Sequence, residues 1–390
     1  MSEYSVRWLS SIREIPEEYW QSLVGENLNP FFQWEWLKIL ESSDSISSKN
    51  GWQPIHLSIW KKNKPIGIAL LYLKNHSYGE FIFDNVFVKV SQELKLRYYP
   101  KLIGMSPLSP IEGYKFFISS QEDENKTTKM MLDIIDEFAI TNKILSCNFL
   151  YVDNMWAQIV KQSEYLAWIN QQSLWESSGE NNFSDYLARF NANQRRNIKR
   201  ERKSIERSKI SIRAITGNDV NNNILQTMHE FYAEHCSKWG VWGSKYLTKS
   251  FFDELALINT KNQIVLFSAY KEAPDKPLAM SFCMRNEEML WGRYWGSKES
   301  IENLHFEVCY YSPIEWAINN GIKKFDPGAG GRHKKRRGFI STPRVSLHKW
   351  YNKHMSELLK AWLPKVNLYI QEEIHASNNE VPFKSNQIEL

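Results

Sequence analysis

One short pattern occurs twice, once in each half of the chain. His56-Leu-Ser-Ile-Trp60 leads through the polar turn Lys61 to Lys64 into Pro65-Ile-Gly-Ile-Ala-Leu-Leu-Tyr-Leu73. Far downstream, Leu266-Phe-Ser-Ala-Tyr270 leads through Lys271 to Lys276 into Pro277-Leu-Ala-Met-Ser-Phe-Cys-Met284. Each is a short apolar strand, a charged turn ending in Lys-Pro, and a second strand that opens on small residues, so each reads as a β-hairpin. A hairpin near the front of each half points to a duplicated domain. The length of 390 residues, too great for one ordinary core, agrees with that.

Helical stripes fit around the hairpins. Pro30 to Ser42 places Phe32, Trp36, Ile39 and Leu40 on one face, and Thr128 to Ile140 does the same with Met130, Met131, Ile134, Ile135 and Phe138. Gln194 to Arg207 reads as a very basic helix, Asn222 to Trp239 as a long amphipathic one, and Glu307 to Asn320 as a third. Gly321 stops the last of these, and Ile322 to Phe325 starts a strand. Alternating helices and strands give a mixed α/β architecture. The polar run Gln171 to Asn182 has the composition of a linker. The expected division is therefore a domain over 1–180, a second over 181–376 and a flexible tail over 377–390.

Composition narrows the class. With 42% hydrophobic and 24% charged residues the chain is a packed protein and not a disordered one. Arg7, Arg13, Glu14, Glu17 and Glu18 interrupt the N-terminal region, which excludes a secretory h-region. Ile66 to Leu73 is too short to span a bilayer. Cys147, Cys236, Cys283 and Cys309 are scattered, with neither disulfide nor zinc spacing. The expectation is a cytoplasmic protein without a transmembrane segment, metal or tightly bound cofactor. The net charge of +5 is unevenly spread: eight Lys/Arg against two Glu lie between Arg195 and Lys209, and Arg332-His-Lys-Lys-Arg-Arg337 carries five more. Either run suits an anionic partner, or a solvated face.

The densest chemistry follows Gly292-Arg-Tyr-Trp-Gly-Ser297. His305-Phe-Glu-Val-Cys-Tyr-Tyr311 comes next, then Asp326-Pro-Gly-Ala-Gly-Gly-Arg-His-Lys334 and Arg337-Gly-Phe339. Glycines let backbone N–H groups approach a ligand closely. Gly328 and Gly330, with Arg293, Tyr294, Trp295, His333, Lys334 and Arg337, form the expected donor or anion pocket. His305 and Glu307 open a helix, and either can take a proton from an amine. In the first half, His76, Tyr78, Glu80 and Asp84 form a second polar patch, read as the acceptor site. No GxxxxGK[ST], GxGxxG at a helix start, HExxH or GxSxG occurs. Ser297 to Leu304 contains no glycine, so it lacks the loop with which ordinary GNAT acetyltransferases grip the pyrophosphate of coenzyme A.

Taken together these stretches resemble the FemAB-like family of peptidoglycan biosynthesis/recognition proteins, predicted N-acyltransferases of the GNAT superfamily. The resemblance runs from about residue 28 to 350. It rests on Asn29-Pro-Phe31, Gly51-Trp-Gln-Pro54, Tyr72 to Glu80, Arg97-Tyr-Tyr-Pro-Lys-Leu102, Arg196-Asn-Ile-Lys-Arg-Glu-Arg202, Gly292 to Gly296, His305-Phe-Glu307, Cys309-Tyr-Tyr311 and the run from Gly328 to Phe339. Where family members often carry Glu-Ala-Gly-Ala-Gln-Gly-Glu-His-Lys, this chain has Asp326-Pro327 at the start, Gly330 for glutamine and Arg332 for an acid. Those departures point to a more anionic substrate.

The resemblance implies tandem GNAT-like domains, mixed central sheets flanked by helices, and transfer of an acyl group to an amine. The acceptor would be a peptide or an amino-sugar/peptide cell-wall precursor. The donor would be an acyl thioester, either long-chain acyl-CoA or acyl carrier protein. Fem-type relatives use aminoacyl-tRNA instead, which leaves aminoacyl transfer as the alternative enzyme reading. A non-catalytic nucleic-acid or phosphate-binding module is the alternative outside enzymes.

Overall fold

The computed structural model describes residues 4–25, 29–238, 240, 244–271 and 275–384, the side chain of residue 332 aside. Fifteen strands among them run in chain order: β1 Tyr4–Leu9, β2 Trp52–Pro54, β3 His56–Lys61, β4 Lys64–Ala69, β5 Tyr72–Lys74, β6 Lys101–Gly104, β7 Phe117–Ile118, β8 Ser146–Phe149, β9 Leu166–Glu176, β10 Ser211–Thr216, β11 Ile264–Tyr270, β12 Ala279–Arg285, β13 Met289–Ser297, β14 Lys324–Asp326 and β15 Ile340–Trp350. Contacts divide the chain into two units. The first holds 1–170 and 343–371, and the second holds 171–342 and 372–390. The sequence suggests one boundary near 180. In the structure the chain also returns to the first unit at 343, where Leu347 to Trp350 of β15 pair with β8.

Both expected hairpins form. β3 pairs antiparallel with β4 from Leu57↔Ala69 to Lys61↔Lys64, and β11 with β12 from Ile264↔Met284 to Ala269↔Ala279. Residues 272–274 of the second turn lie outside the described residues. Each unit then repeats a larger scheme. In the first, β1, β3 and β4 are antiparallel neighbours, β6 runs parallel to β8, and β15 returns antiparallel beside β8. In the second, β10 to β13 are antiparallel, β13 runs parallel to β14, and β9 lies antiparallel beside β14. A parallel pair needs a crossover, and helices supply it: Glu124–Thr141 between β6 and β8, and the helical run 304–319 between β13 and β14. The second unit is thus a mixed sheet flanked by helices, whereas the first divides its strands between an antiparallel sheet, β1-β3-β4-β7, and a mixed array of β2, β5, β6 and β8 with the end of β15.

The strands are apolar enough for burial on both faces. All seven residues of β11 and six of seven in β12 are buried, as expected where helices cover a sheet on both sides. The core of the second unit joins Val265, Phe267, Leu290 and Phe325 of these strands to Ile198, Ile205, Val308, Ile314 and Phe339.

Several expectations need correction. Gln171 to Glu176 is the end of β9 and not linker. Leu174 and Trp175 are buried there, and Trp175 and Glu176 pair with Phe325 and Lys324. Pro30 to Ser42 divides into a 3-10 turn, Pro30–Phe32, and a helix, Trp34–Ser42. The 222 helix is described to Ser237, and Trp239 lies outside the described residues. At the C-terminus, helix Lys353–Asn379 is followed by buried Val381 and by Phe383 packed on Phe190; 385–390 lie outside the described residues. Among the described residues no helix is long and apolar enough to cross a membrane.

Candidate active site

The site of the second unit grows from a fork between two parallel strands. β13 and β14 are paired only at Met289↔Lys324, Leu290↔Phe325 and Trp291↔Asp326, after which β14 ends and β13 runs on to Ser297. The register with β12 slips at the same place, Phe282 facing Tyr294 while Cys283 faces Gly292, so Arg293 is a bulge residue. Its guanidinium turns across the fork. Nη2 donates to Asp326 Oδ2 at 3.1 Å and Nη1 to Oδ1 at 3.3 Å, with both side chains 3% exposed. Asp326 Oδ1 also accepts the Gly328 N–H at 2.8 Å and so starts the glycine loop.

That loop is shaped from inside by the charges that the sequence presents as ligand-binding. Lys334 is 2% exposed and donates to the carbonyls of Gly328 (2.6 Å) and Ala329 (3.1 Å). Burial lowers its pKa to about 8, against the pull of Asp326. Arg337, also 2% exposed, donates to the His333 carbonyl (2.8 Å) and to Glu201 Oε2 (2.7 Å), and its guanidinium lies 3.4 Å above the Phe306 ring. What the loop offers outward is backbone. Gly328, Gly330 and Gly331 have φ of 84°, 69° and 91°, 329–331 are exposed, and among the described residues their N–H groups meet no partner. Successive free N–H groups of this kind make a concavity for an anion.

Facing the loop is a helical run with an offset. Leu304–Phe306 is α-helical, Glu307–Tyr311 is a π turn, and Ser312–Asn319 is α-helical again. The Ser312 N–H donates five residues back to Glu307. Pro313 explains the widening, because it has no N–H to give and its ring would collide with the Cys309 carbonyl in a regular α turn. Two consecutive residues of helix Ala192–Arg207 hold this turn at both ends. Glu201 accepts from the Tyr311 hydroxyl, while Arg202 donates through Nε and Nη2 to both oxygens of Glu307 at 3.0–3.2 Å. Ser312 adds a bond to Glu307 at 2.9 Å, and Arg202 also reaches Glu315 at 2.7 Å.

The result is a half-open cradle of rings. His305 lies 4.7 Å from Trp295, 5.2 Å from Tyr310 and 5.6 Å from His333, centroid to centroid. His333 shares a 3.0 Å hydrogen bond with the Tyr310 hydroxyl and packs on Phe306. His235 flanks Trp295 at 5.8 Å. Burial, reinforced by His333, Arg337, His235 and Lys334, pulls His305 down to about 3. Burial, with Arg337 and Lys334, takes His333 to about 4. Both imidazoles are therefore neutral at pH 7. His305 is half-buried, and among the described residues neither ring nitrogen meets a hydrogen-bond partner.

The expected residues thus fall into three groups. Trp295, His305 and His333 line the cradle, with Gly328 and Gly330 in the loop beside it. Arg293, Glu307, Lys334 and Arg337 hold the frame, and Tyr294 packs on Tyr232 and Phe282. His76, Tyr78, Glu80 and Asp84 form a separate cluster in the first unit. There Lys101 donates to Glu80 at 2.8 Å and to Asp84, and Tyr98 and Ser77 also bond Asp84. Burial raises the Glu80 pKa, whereas Lys101 holds Asp84 below the carboxylate range despite its burial. Burial takes nearby Lys74 to about 7, and it donates to His76 and to the Tyr78 carbonyl. Tyr78 is exposed.

Phe306, Tyr310, Asp326, Glu201 and Arg202 lie in stretches that the sequence singles out without a role for them, and His235 lies outside those stretches. Glu201 had a readable signal: it is one of two acids in a run of eight cations. No group of three metal-ligating side chains occurs among the described residues.

The profile of the FemAB-like family, described as peptidoglycan biosynthesis/recognition, matches residues 11–385. No curated protein matches the sequence. Among solved structures the chain is similar to FemX, with TM-score 0.51 and 11% identity over 91% of this chain and 99% of that one. It is also similar to the C-terminal domain of an Agrobacterium fabrum protein assigned as a lysylphosphatidylglycerol synthetase, with TM-score 0.50 and 8% identity over 88% and 94% of the two chains. A tandem GNAT protein of clavulanic acid biosynthesis gives TM-score 0.46 and 8% identity over 90% and 99%. At these identities the first two likenesses show a shared fold.

Proposed function

The chain belongs to the FemAB-like family, and we propose that it is an N-acyltransferase that moves an acyl group from a thioester to an amine at the ring cradle of the second unit. The observation that carries this reading is a neutral, unengaged imidazole, His305, beside a loop with three free backbone N–H groups.

The chemistry follows from those parts. The amine lone pair attacks the acyl carbonyl carbon, and the carbonyl π electrons move onto oxygen. The N–H groups of 329–331 face that oxyanion. An imidazole with a pKa of about 3 is too weak to deprotonate a free ammonium ion, so the amine enters neutral. After the C–N bond forms, the same nitrogen is strongly acidic and His305 takes its proton. Collapse of the adduct expels the thiolate, which takes that proton from the His305 imidazolium and leaves as the thiol. Trp295, Phe306 and Tyr310 supply apolar walls for the acyl chain. In this reading Glu307 is a positioning residue, because Arg202 and Ser312 occupy its oxygens. The acceptor is a peptide or a cell-wall precursor bearing an amine, in keeping with the family's description.

The test is kcat/KM for His305→Ala, together with the wild-type pH profile measured on a weakly basic acceptor amine. Removing a general base costs about 10²-fold or more. Between about pH 5 and 7 the wild-type profile stays flat, because both imidazoles remain unprotonated. An unchanged His305→Ala enzyme, or an acid limb at the ordinary histidine pKa of 6.5, contradicts the assignment. Turnover that requires aminoacylated RNA and is abolished by ribonuclease would replace the thioester by an aminoacyl donor.

A further inference from the structure

Helix Ala192–Arg207 has an outer face that the chemistry above does not use. Arg196, Lys199, Arg200, Lys203 and Arg207 are all exposed. Their spacing of three, one, three and four residues puts them on one side of an α-helix. Among the described residues none of the five side chains forms an ion pair or hydrogen bond, although that of Arg202 on the inner side makes both. Five unpaired cations therefore form a straight stripe about 16 Å long, with one exposed acid, Glu206, at its flank.

The inner side of the same helix belongs to the site. Ile198 and Ile205 are core residues, Gln194 donates to the Arg336 carbonyl at 2.7 Å, and Glu201 and Arg202 grip the two ends of the π turn. A partner seated on the stripe would sit one helix diameter, about 10 Å, from the frame of the cradle.

We propose that this stripe is the docking surface for an acidic carrier protein that delivers the acyl thioester on a flexible arm. The inference rests on the thioester reading of the donor. Three features favour such a partner. Carboxylates spaced three and four residues apart on a partner helix would meet the stripe along its length, and complementary charge of this kind sets encounter and register. The helix contains no aromatic residue, so it offers no stacking platform for the unpaired bases of an RNA. The stripe is also short, about 16 Å, and in the second basic run Lys334 and Arg337 are buried and turned to the glycine loop and to Glu201. No large apolar residue is exposed on this helix, which leaves a bilayer nothing to bury.

The experiment uses the full chain, wild type and the triple variant Arg196→Glu, Arg200→Glu, Lys203→Glu. The same acyl group is supplied on acyl carrier protein and on coenzyme A. The expected result is a KM for the carrier-borne donor raised about tenfold or more, with turnover from the CoA-borne donor unchanged. Retained CoA turnover also shows that the variant is folded. In the wild type, added salt should raise the carrier KM, and in the variant that dependence should disappear. Equal carrier KM values in the two proteins would overturn the docking surface while leaving the donor reading intact. A wild-type enzyme that uses neither thioester but turns over aminoacylated RNA would overturn both.

Discussion

At Gly331 the backbone stands at φ +91°, and a Cβ added there would lie 2.8 Å from Cε1 of His333, so this glycine leaves room for the imidazole as well as for the turn. At Gly330 the φ is +69° and an added Cβ would meet nothing within 4 Å. The two positions therefore separate strain from displacement. Both alanine variants should lose about 1 kcal/mol or more of stability, because both positions hold a positive φ. Gly331→Ala alone should lower kcat/KM, by about 10²-fold, because His333 must move. Equal activity of the two variants would show that the His333 position does not matter. The glycines were legible in the sequence because glycine reports on backbone. The destinations of Lys334 and Arg337 were not: Glu201 lies 136 residues from Arg337, and the carbonyls that Lys334 binds leave no trace in residue type. A basic run next to glycines looks the same whether its charges face a ligand or tie the loop together.

Among the elements, the π turn is the one on which the cradle depends. Pro313→Ala restores an N–H opposite the Cys309 carbonyl and allows the wide turn to tighten to an α turn. Removing one residue's worth of offset rotates 304–306 by about 100° relative to the following helix. The expected outcome is a fall in kcat/KM of about 10²-fold with no loss of thermal stability. An unaltered rate would separate the π turn from function. Periodicity made the 307–320 helix legible but not its offset, because the apolar residues still recur at helical spacing across the turn. The strand ending at Glu176 was misread for the opposite reason. Gln171, Gln172 and Ser173 look like linker, yet buried Leu174 and Trp175 and the pairing with β14 place them in a sheet. The basic helix was legible as an element, and its division into an outer stripe and an inner clamp became visible only with the partners of Glu201 and Arg202 in place.

For the whole molecule, the doubled hairpin anticipated a repeated strand scheme, with a parallel pair bridged by a helical crossover in each unit. Each unit carries its own polar centre: a Lys101–Glu80–Asp84 cluster in the first, and the ring cradle with its glycine loop in the second. Membership of the FemAB-like family ties the chain to peptidoglycan biosynthesis/recognition, and the cradle supplies the reason to expect acyl transfer to nitrogen. The most direct test is the intact mass of the product formed when the protein is given an acyl thioester and an amine-bearing cell-wall peptide. The expected product is a peptide heavier by one acyl group, linked as an amide to the amine, with one thiol released per product and with the rate collapsing in His305→Ala. Thioester consumption that releases only the free acid, or an unmodified peptide beside an intact donor, would contradict acyl transfer to nitrogen.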